Sequence, residues 1–142
     1  MLVSTRGRYA LRVIIDLAEH YNGGYIPMKD VAARQDISLK YITKIMPLLT
    51  GGNLVEGVHG KGGGYRLIKD PQDCTVGEIL RLTEGSLAPI NCTELCEEPC
   101  SRAADCRTLP MWKKLDTLIE GYLDSVTVAD LMKQDLSDNY VI

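Results

Sequence analysis

Apolar residues recur at helical spacing almost from the start of the chain. Tyr9, Ala10, Val13, Ile14, Leu17, Ala18 and Tyr21 share one face of a helix that Thr5 can cap and Gly23-Gly24 stops, while Arg8, Arg12, Asp16 and Glu19 occupy the opposite face. After Ile26-Pro27 a short helix from Lys29 to Gln35 carries Val31 and Ala32, and Asp36-Ile37 makes the turn into a third helix capped by Ser38. That helix runs from Leu39 to about Leu49, with Leu39, Ile42, Ile45, Met46 and Leu49 inward, and ends at Gly51-Gly52. Pro47 inside it removes a backbone hydrogen bond and is expected to bend the last turn.

The period then shortens. Leu54 to Val58 alternates like a strand, His59 to Gly64 is a glycine-rich loop, and Tyr65 to Ile68 is a second strand, so the segment predicts a β-hairpin. Thr75-Val76-Gly77-Glu78 has the form of a capping box, opening a fourth helix from Val76 to Glu84 that Gly85 stops. Ser86 to Thr108 has no period and predicts a loop. Pro110 opens a longer helix with a stripe of Trp112, Leu115, Ile119, Tyr122 and Leu123, Thr127 and Asp130 cap a last short helix, and Gln134 to Ile142 reads as a loose tail.

Two short helices across a tight turn, followed at once by a glycine-tipped hairpin, have the layout of a winged helix-turn-helix. The predicted fold is therefore mainly α with a small β-hairpin wing: a winged helix-turn-helix DNA-binding domain over residues 1–85, a cysteine-rich loop over 86–108, and a long C-terminal dimerisation helix with its tail over 109–142. The apolar stripe after Pro110 is larger than the preceding headpiece needs to cover itself, which favours a second copy of the chain as its partner.

Charge supports this division. The net charge of -3 hides +4 on residues 1–70 and -7 on residues 71–142, so a basic half that could meet phosphate is joined to an acidic half that should avoid it. Ser38, Lys40, Tyr41 and Lys44 fall on or near the N-terminal solvent face of the third helix, where lysine can donate to guanine or phosphate and the hydroxyls to phosphate. His59 and Lys61 at the wing tip, with Arg66 beside them, complete the candidate DNA-binding set. Read singly, the lysines are an ordinary solvated face and the glycines a flexible loop. The glycine run also lacks the Lys-Ser/Thr pair and following helix of a nucleotide phosphate loop. The order of the elements carries the inference.

Four of the five cysteines crowd between Cys92 and Cys106, in the pattern Cys92-x3-Cys96-x3-Cys100-x5-Cys106. No signal peptide or 18-residue apolar run precedes them, so a cytoplasmic location is expected, and in that reducing compartment such a cluster points to metal ligation rather than disulfides. Thiolates suit both iron-sulfur clusters and zinc, although the last spacing is long for zinc. Cys74 stands apart and reads as a small buried apolar residue.

Ser4 to Arg12, the Ile37-Ser38 and Tyr41-Ile42 pairs, Gly60 to Tyr65, and Ala103 to Trp112 together resemble the family of small bacterial regulators that includes IscR, CymR and NsrR. The resemblance spans nearly the whole chain. It implies a homodimer, joined by the long helix, that binds a two-fold site in double-stranded promoter DNA. In the iron-sulfur members three loop cysteines ligate the cluster, the last two separated by five residues and the final one six before a tryptophan. Cys100, Cys106 and Trp112 match both separations, which makes Cys92 the first ligand. The family's other ligand positions hold Leu109 and Arg8 here, neither able to bind iron, so Cys96 is the preferred fourth ligand, with Glu94, Glu97, Glu98 or Asp105 behind it. Both [2Fe-2S] and [4Fe-4S] clusters suit this set.

The expected function is thus a homodimeric transcriptional regulator that senses iron-sulfur cluster, redox or nitric-oxide status. The alternative is a regulator of the same fold with a zinc site or thiol switch in the loop. An enzyme is not expected: no Ser/His/Asp set, no paired acid/base carboxylates and no nucleotide loop is visible, and the two histidines, His20 and His59, lie at a helix end and in the wing.

Overall fold

The structure, a computed structural model, describes residues 3–91 and 100–132. The first helix, α1 (Thr5–Glu19), is capped by Ser4 and not by Thr5: the Ser4 hydroxyl accepts from the Gly7 N–H at 3.1 Å. It ends at Glu19, short of the Tyr21 that its apolar period implies, which leaves Tyr21 beyond the helix and exposed. A second departure is Asp16. Placed by period on the outer face, it is completely buried, because α2 (Met28–Gln35) folds across that side of α1 and brings Arg34 and Gln35 to its carboxylate.

Asp36, in the left-handed conformation, closes α2 and turns the chain into α3 (Leu39–Gly51). Ser38 caps α3 by accepting the Tyr41 N–H at 3.1 Å, and the helix continues through Pro47 for another turn. Ile42, Ile45, Met46 and Leu49 of α3 meet Ala10, Val13, Ile14 and Leu17 of α1 in one core with Leu54 and Val55. Each such large side chain contributes roughly 1.5–3 kcal/mol when fully buried. Leu39, assigned inward by its apolar character, faces out at 45 % exposure, because the first turn of α3 projects past the edge of that core.

The wing pairs β1 (Val55–Val58) with β2 (Gly64–Leu67) in antiparallel register, from Val55 opposite Leu67 to Val58 opposite Gly64. Ile26 and Tyr65 exchange both backbone hydrogen bonds at 2.9 Å, so the segment before α2 adds a short third edge. That approach requires glycine at position 64, where a Cβ would lie 2.2 Å from the Ile26 carbonyl oxygen. A 3-10 turn (Pro71–Asp73) then leads to α4 (Val76–Glu84). Half of the expected capping box forms: Thr75 accepts the Glu78 N–H, while the Glu78 carboxylate pairs with Lys69.

After the loop comes α5 (Leu109–Ser125), in which no residue is buried. Leu123 and Val126 rest on a small second cluster of Val76, Leu80 and Leu87. The chain then returns to the headpiece through α6 (Val128–Leu131), whose full Thr127–Asp130 capping box is formed and whose Val128 enters the main core beside Cys74. The predicted tail from Gln134 lies outside the described residues, as do Cys92 and Cys96. Among the described residues no helix is long and apolar enough to cross a membrane.

Candidate nucleic-acid interface and cysteine loop

The helix-turn-helix is set at its angle by a polar lock. Arg34 grips Asp16 through Nε and Nη2, the shortest contact being 2.7 Å, and Gln35 Nε2 donates to the same carboxylate at 2.8 Å. Burial works to raise the Asp16 pKa, but the hydrogen bonds from Arg34 and Gln35 and the guanidinium charge outweigh it, so the carboxyl sits below its usual range. Arg12 donates to the Gln35 carbonyl and closes the end of α2. Two charged residues of the predicted outer face, Arg12 and Asp16, therefore hold α2 in place.

This frame presents α3 to solvent along Ser38, Leu39, Lys40, Thr43, Lys44 and Pro47, all exposed. Lys40 and Lys44, one turn apart, form a cationic row. Tyr41 is half-buried, its ring edge-on to Tyr9 with centroids 5.4 Å apart, so it joins α3 to α1 before it can serve any ligand. A groove runs between the start of α1 and α3, lined by Thr5, Arg6, Tyr41 and Lys44 among others. Thr43, absent from the sequence-predicted set, lies at the centre of the exposed face. Its signal was positional, since it sits three residues from Lys40 on the same side.

At the wing tip His59 and Lys61 are exposed, Lys61 between two glycines of positive φ (95° at Gly60, 78° at Gly62) that shape the turn. Arg66 differs from them. It ion-pairs with Glu56, its cross-strand partner, at 2.7 Å and lies over the Tyr25 ring at 4.5 Å, so the wing itself engages it.

In the described part of the loop Cys100 is exposed and Cys106 half-exposed. Cys106 Sγ lies 3.4 Å from Thr108 Oγ1 at the start of α5. The Thr108 hydroxyl, then the backbone N–H groups of Thr108 and Leu109, and the charge of Arg102 hold its pKa below the usual thiol value. The buried Cys74 contrasts: burial pushes it up to about 11, an inert thiol. Among the described residues no three metal-ligating side chains stand together. Leu109 opens α5 as an apolar residue and offers no ligand.

Residues 3–134 match the model of the Rrf2 family, described as iron-dependent transcriptional regulators. The chain belongs to the Rrf2 family. It is 33% identical to the HTH-type transcriptional regulator IscR of Photobacterium profundum, over 95% of this chain and 77% of that protein. Serratia proteamaculans IscR is 34% identical over 93% of this chain and 79% of its own length. Among solved structures, CymR, the global cysteine regulator of B. subtilis, superimposes with a TM-score of 0.73 at 32% identity, covering 92% of this chain and 95% of that one. T. potens IscR gives a TM-score of 0.71 at 33% identity, covering 97% and 96%.

Rrf2 membership identifies the chain as a DNA-binding transcriptional regulator, and its relatives are regulators rather than enzymes. The expected architecture, mainly α with a hairpin wing, is that of these neighbours. Within this Rrf2 fold Lys40 and Lys44 lie one turn apart on the exposed side of the helix that Ser38 caps, while His59 and Lys61 stand on the separate wing.

Proposed function

We propose that this protein is a homodimer that binds promoter DNA through α3 and the wing, and that an iron-sulfur cluster held by Cys92, Cys96, Cys100 and Cys106 sets its affinity. Ser38, Lys40, Tyr41 and Lys44 serve the major groove and its flanking phosphates, and His59 and Lys61 the backbone beside it; Arg66 orients the wing through Glu56. In this reading residues 1–85 bind DNA, 86–108 hold the cluster and 109–142 form the dimer arm.

The observation that carries the dimer is the face of α5. Met111, Leu115, Leu118 and Tyr122 follow a 4-3-4 spacing and are 54%, 37%, 57% and 68% exposed, the seam of a coiled coil without its partner helix. The stripe read from sequence mixed this seam with Trp112, Ile119 and Leu123, which lie about a quarter turn away on the adjoining face and are less exposed. Both sides are used: Leu123 faces α4, and the seam is left for the second copy.

The lowered pKa of Cys106 favours the thiolate that a cluster needs, which supports this reading at that ligand. A bound cluster would supply one-electron chemistry and sensitivity to oxidants and nitric oxide. The chain's own residues supply the relay. Arg81 of α4 binds Asp124 of α5 through two hydrogen bonds of 2.7 and 2.9 Å. In the same last turn α4 holds the start of α1, with Glu84 accepting from Ser4 and Arg6 donating to the Thr83 carbonyl. A shift of the loop at the head of α5 is thereby transmitted to the helix beside α3.

Anaerobic purification tests the cofactor. The protein should be coloured, with iron and sulfide in stoichiometric amounts, and Ser substitution of Cys92, Cys100 or Cys106 should bleach it; Cys96→Ser should shift or destabilise the spectrum, and Cys74→Ser should not. Colourless protein carrying stoichiometric zinc would replace the cluster by a zinc site. Colourless, metal-free protein would leave a thiol switch, which the same low pKa of Cys106 favours.

A further inference from the structure

The exposed face of α3 carries two chemically different rows. Lys40 and Lys44 form one. Leu39, Thr43 and Pro47, each four residues from the next, form the other. Leu39 sits in the first turn, 45% exposed and outside both core clusters. Thr43 donates its hydroxyl proton to the Lys40 carbonyl at 2.7 Å. That bond occupies the side chain's only donor, so towards a partner Thr43 offers a methyl group and a weak acceptor. Pro47 has no N–H at all. The row is apolar in function although only one of its members is a large hydrophobe.

The partner of this face is constrained by the row beside it. Two lysines flank the apolar edge without an acidic residue between them, on a helix whose N-terminal end adds positive potential, and the chain is a DNA-binding regulator. The occupant is therefore a polyanion that also carries exposed apolar groups at its recognition edge. In the major groove the C5 methyl of thymine is that group; the other base edges present donors and acceptors that Leu39 cannot satisfy.

We propose that Leu39 and Thr43 are specificity-determining residues that recognise thymine through its C5 methyl group, with the adjoining lysines taking guanine acceptors or phosphate. The proposal rests on reading α3 as the recognition helix. Leu39 covers the methyl by apolar contact, and Thr43, its hydroxyl turned into the helix, extends the same surface by one turn. Removing the methyl removes the contact and leaves no unpaired polar atom, so the expected penalty is that of one buried methyl group, about fourfold per site.

Deoxyuridine, which differs from thymidine only by that methyl, is the direct probe. A duplex selected from a random-sequence pool by the wild-type full chain is resynthesised with deoxyuridine replacing thymidine at one position at a time. Wild-type protein should lose about fourfold in affinity at one or two positions, and at those positions Leu39→Ala or Thr43→Ser should bind thymidine and deoxyuridine duplexes equally. Leu39 lies outside the core and Thr43→Ser keeps the hydroxyl, so both variants should melt like the wild type. Indifference of the wild type to every deoxyuridine substitution overturns the proposal, as does a deoxyuridine penalty retained in full by both variants. A loss of affinity in Leu39→Ala that is equal on both duplexes also overturns it, because Leu39 would then act by some route other than the methyl. Normal binding of the selected duplex by both Lys40→Glu and Lys44→Glu would instead sink the recognition-helix reading beneath it.

Discussion

The headpiece and the long helix are built on opposite terms. In the headpiece α1 alone buries Ala10, Val13, Ile14 and Leu17 with at most 1% exposure, and elements as distant in sequence as α6 return to fill the same core. In α5, seventeen residues long, nothing is buried. The lesson is that the headpiece buries its apolar residues against its own chain, whereas α5 leaves its apolar residues uncovered. The apolar seam of α5 is exposed, its solvation is costly, and in the proposed dimer a second copy covers it.

The strongest way to break that comparison is to attack the headpiece. Ile42→Ala should cost about 3–4 kcal/mol in urea unfolding, the usual loss for a large aliphatic side chain in a packed core. Leu118→Ala should cost less than about 0.5 kcal/mol at concentrations where the chain is monomeric. Similar costs at both positions would mean that α5 is already buried by its own chain.

Next in size is the polar lock. Asp16→Asn keeps the shape but leaves Arg34 without its charge partner, at a cost of about 3 kcal/mol. Its pH dependence carries a definite sign. Because the folded pKa of Asp16 lies below the ordinary 3.8, the stabilisation is complete above that value and is lost as pH falls through the folded pKa. The wild type should therefore lose stability on acidification below about pH 4, and Asp16→Asn should show a flatter acid limb in a series of urea titrations. Equal slopes would show that the lock is electrostatically neutral.

A smaller effect is expected at the joint between the two regions. Arg81 and Asp124 are both partly exposed, so Arg81→Ala should cost only about 0.5–1 kcal/mol of stability. The relay predicts a larger consequence for communication: the ratio of DNA affinities with and without the metal-loaded loop, measured by fluorescence anisotropy, should shrink towards one. An unchanged ratio would remove this pair from the relay.

The same contrast explains what could be read from the chain. The interior of α1 and α3, the hairpin and the capping of α4 and α6 follow local periods and caps, and these were legible. Asp16 was not, because its burial depends on Arg34 and Gln35 arriving from another helix eighteen and nineteen residues on. Leu39 was misread for a related reason: apolar character predicts burial only where some other element supplies a wall, and at the first turn of α3 none does. In α5 the period was visible but the two faces merged, since hydrophobicity alone does not separate a residue that packs on its own chain, as Leu123 does, from one that stays exposed, as Leu118 does. Arg66 looked like a free cation because its partner, Glu56, becomes its neighbour only once the hairpin closes. The cysteine set remains a matter of spacing, with Cys100 and Cys106 placed and their low-pKa member identified.

Light scattering on the wild type and on Leu118→Asp, at the same micromolar concentration, tests the central claim most directly. The account predicts a wild-type mass of twice the 15.7 kDa chain and a folded variant at the single-chain mass, with native helix content by circular dichroism. A wild-type protein that scatters as a monomer, or a Leu118→Asp variant that remains a dimer, would contradict it.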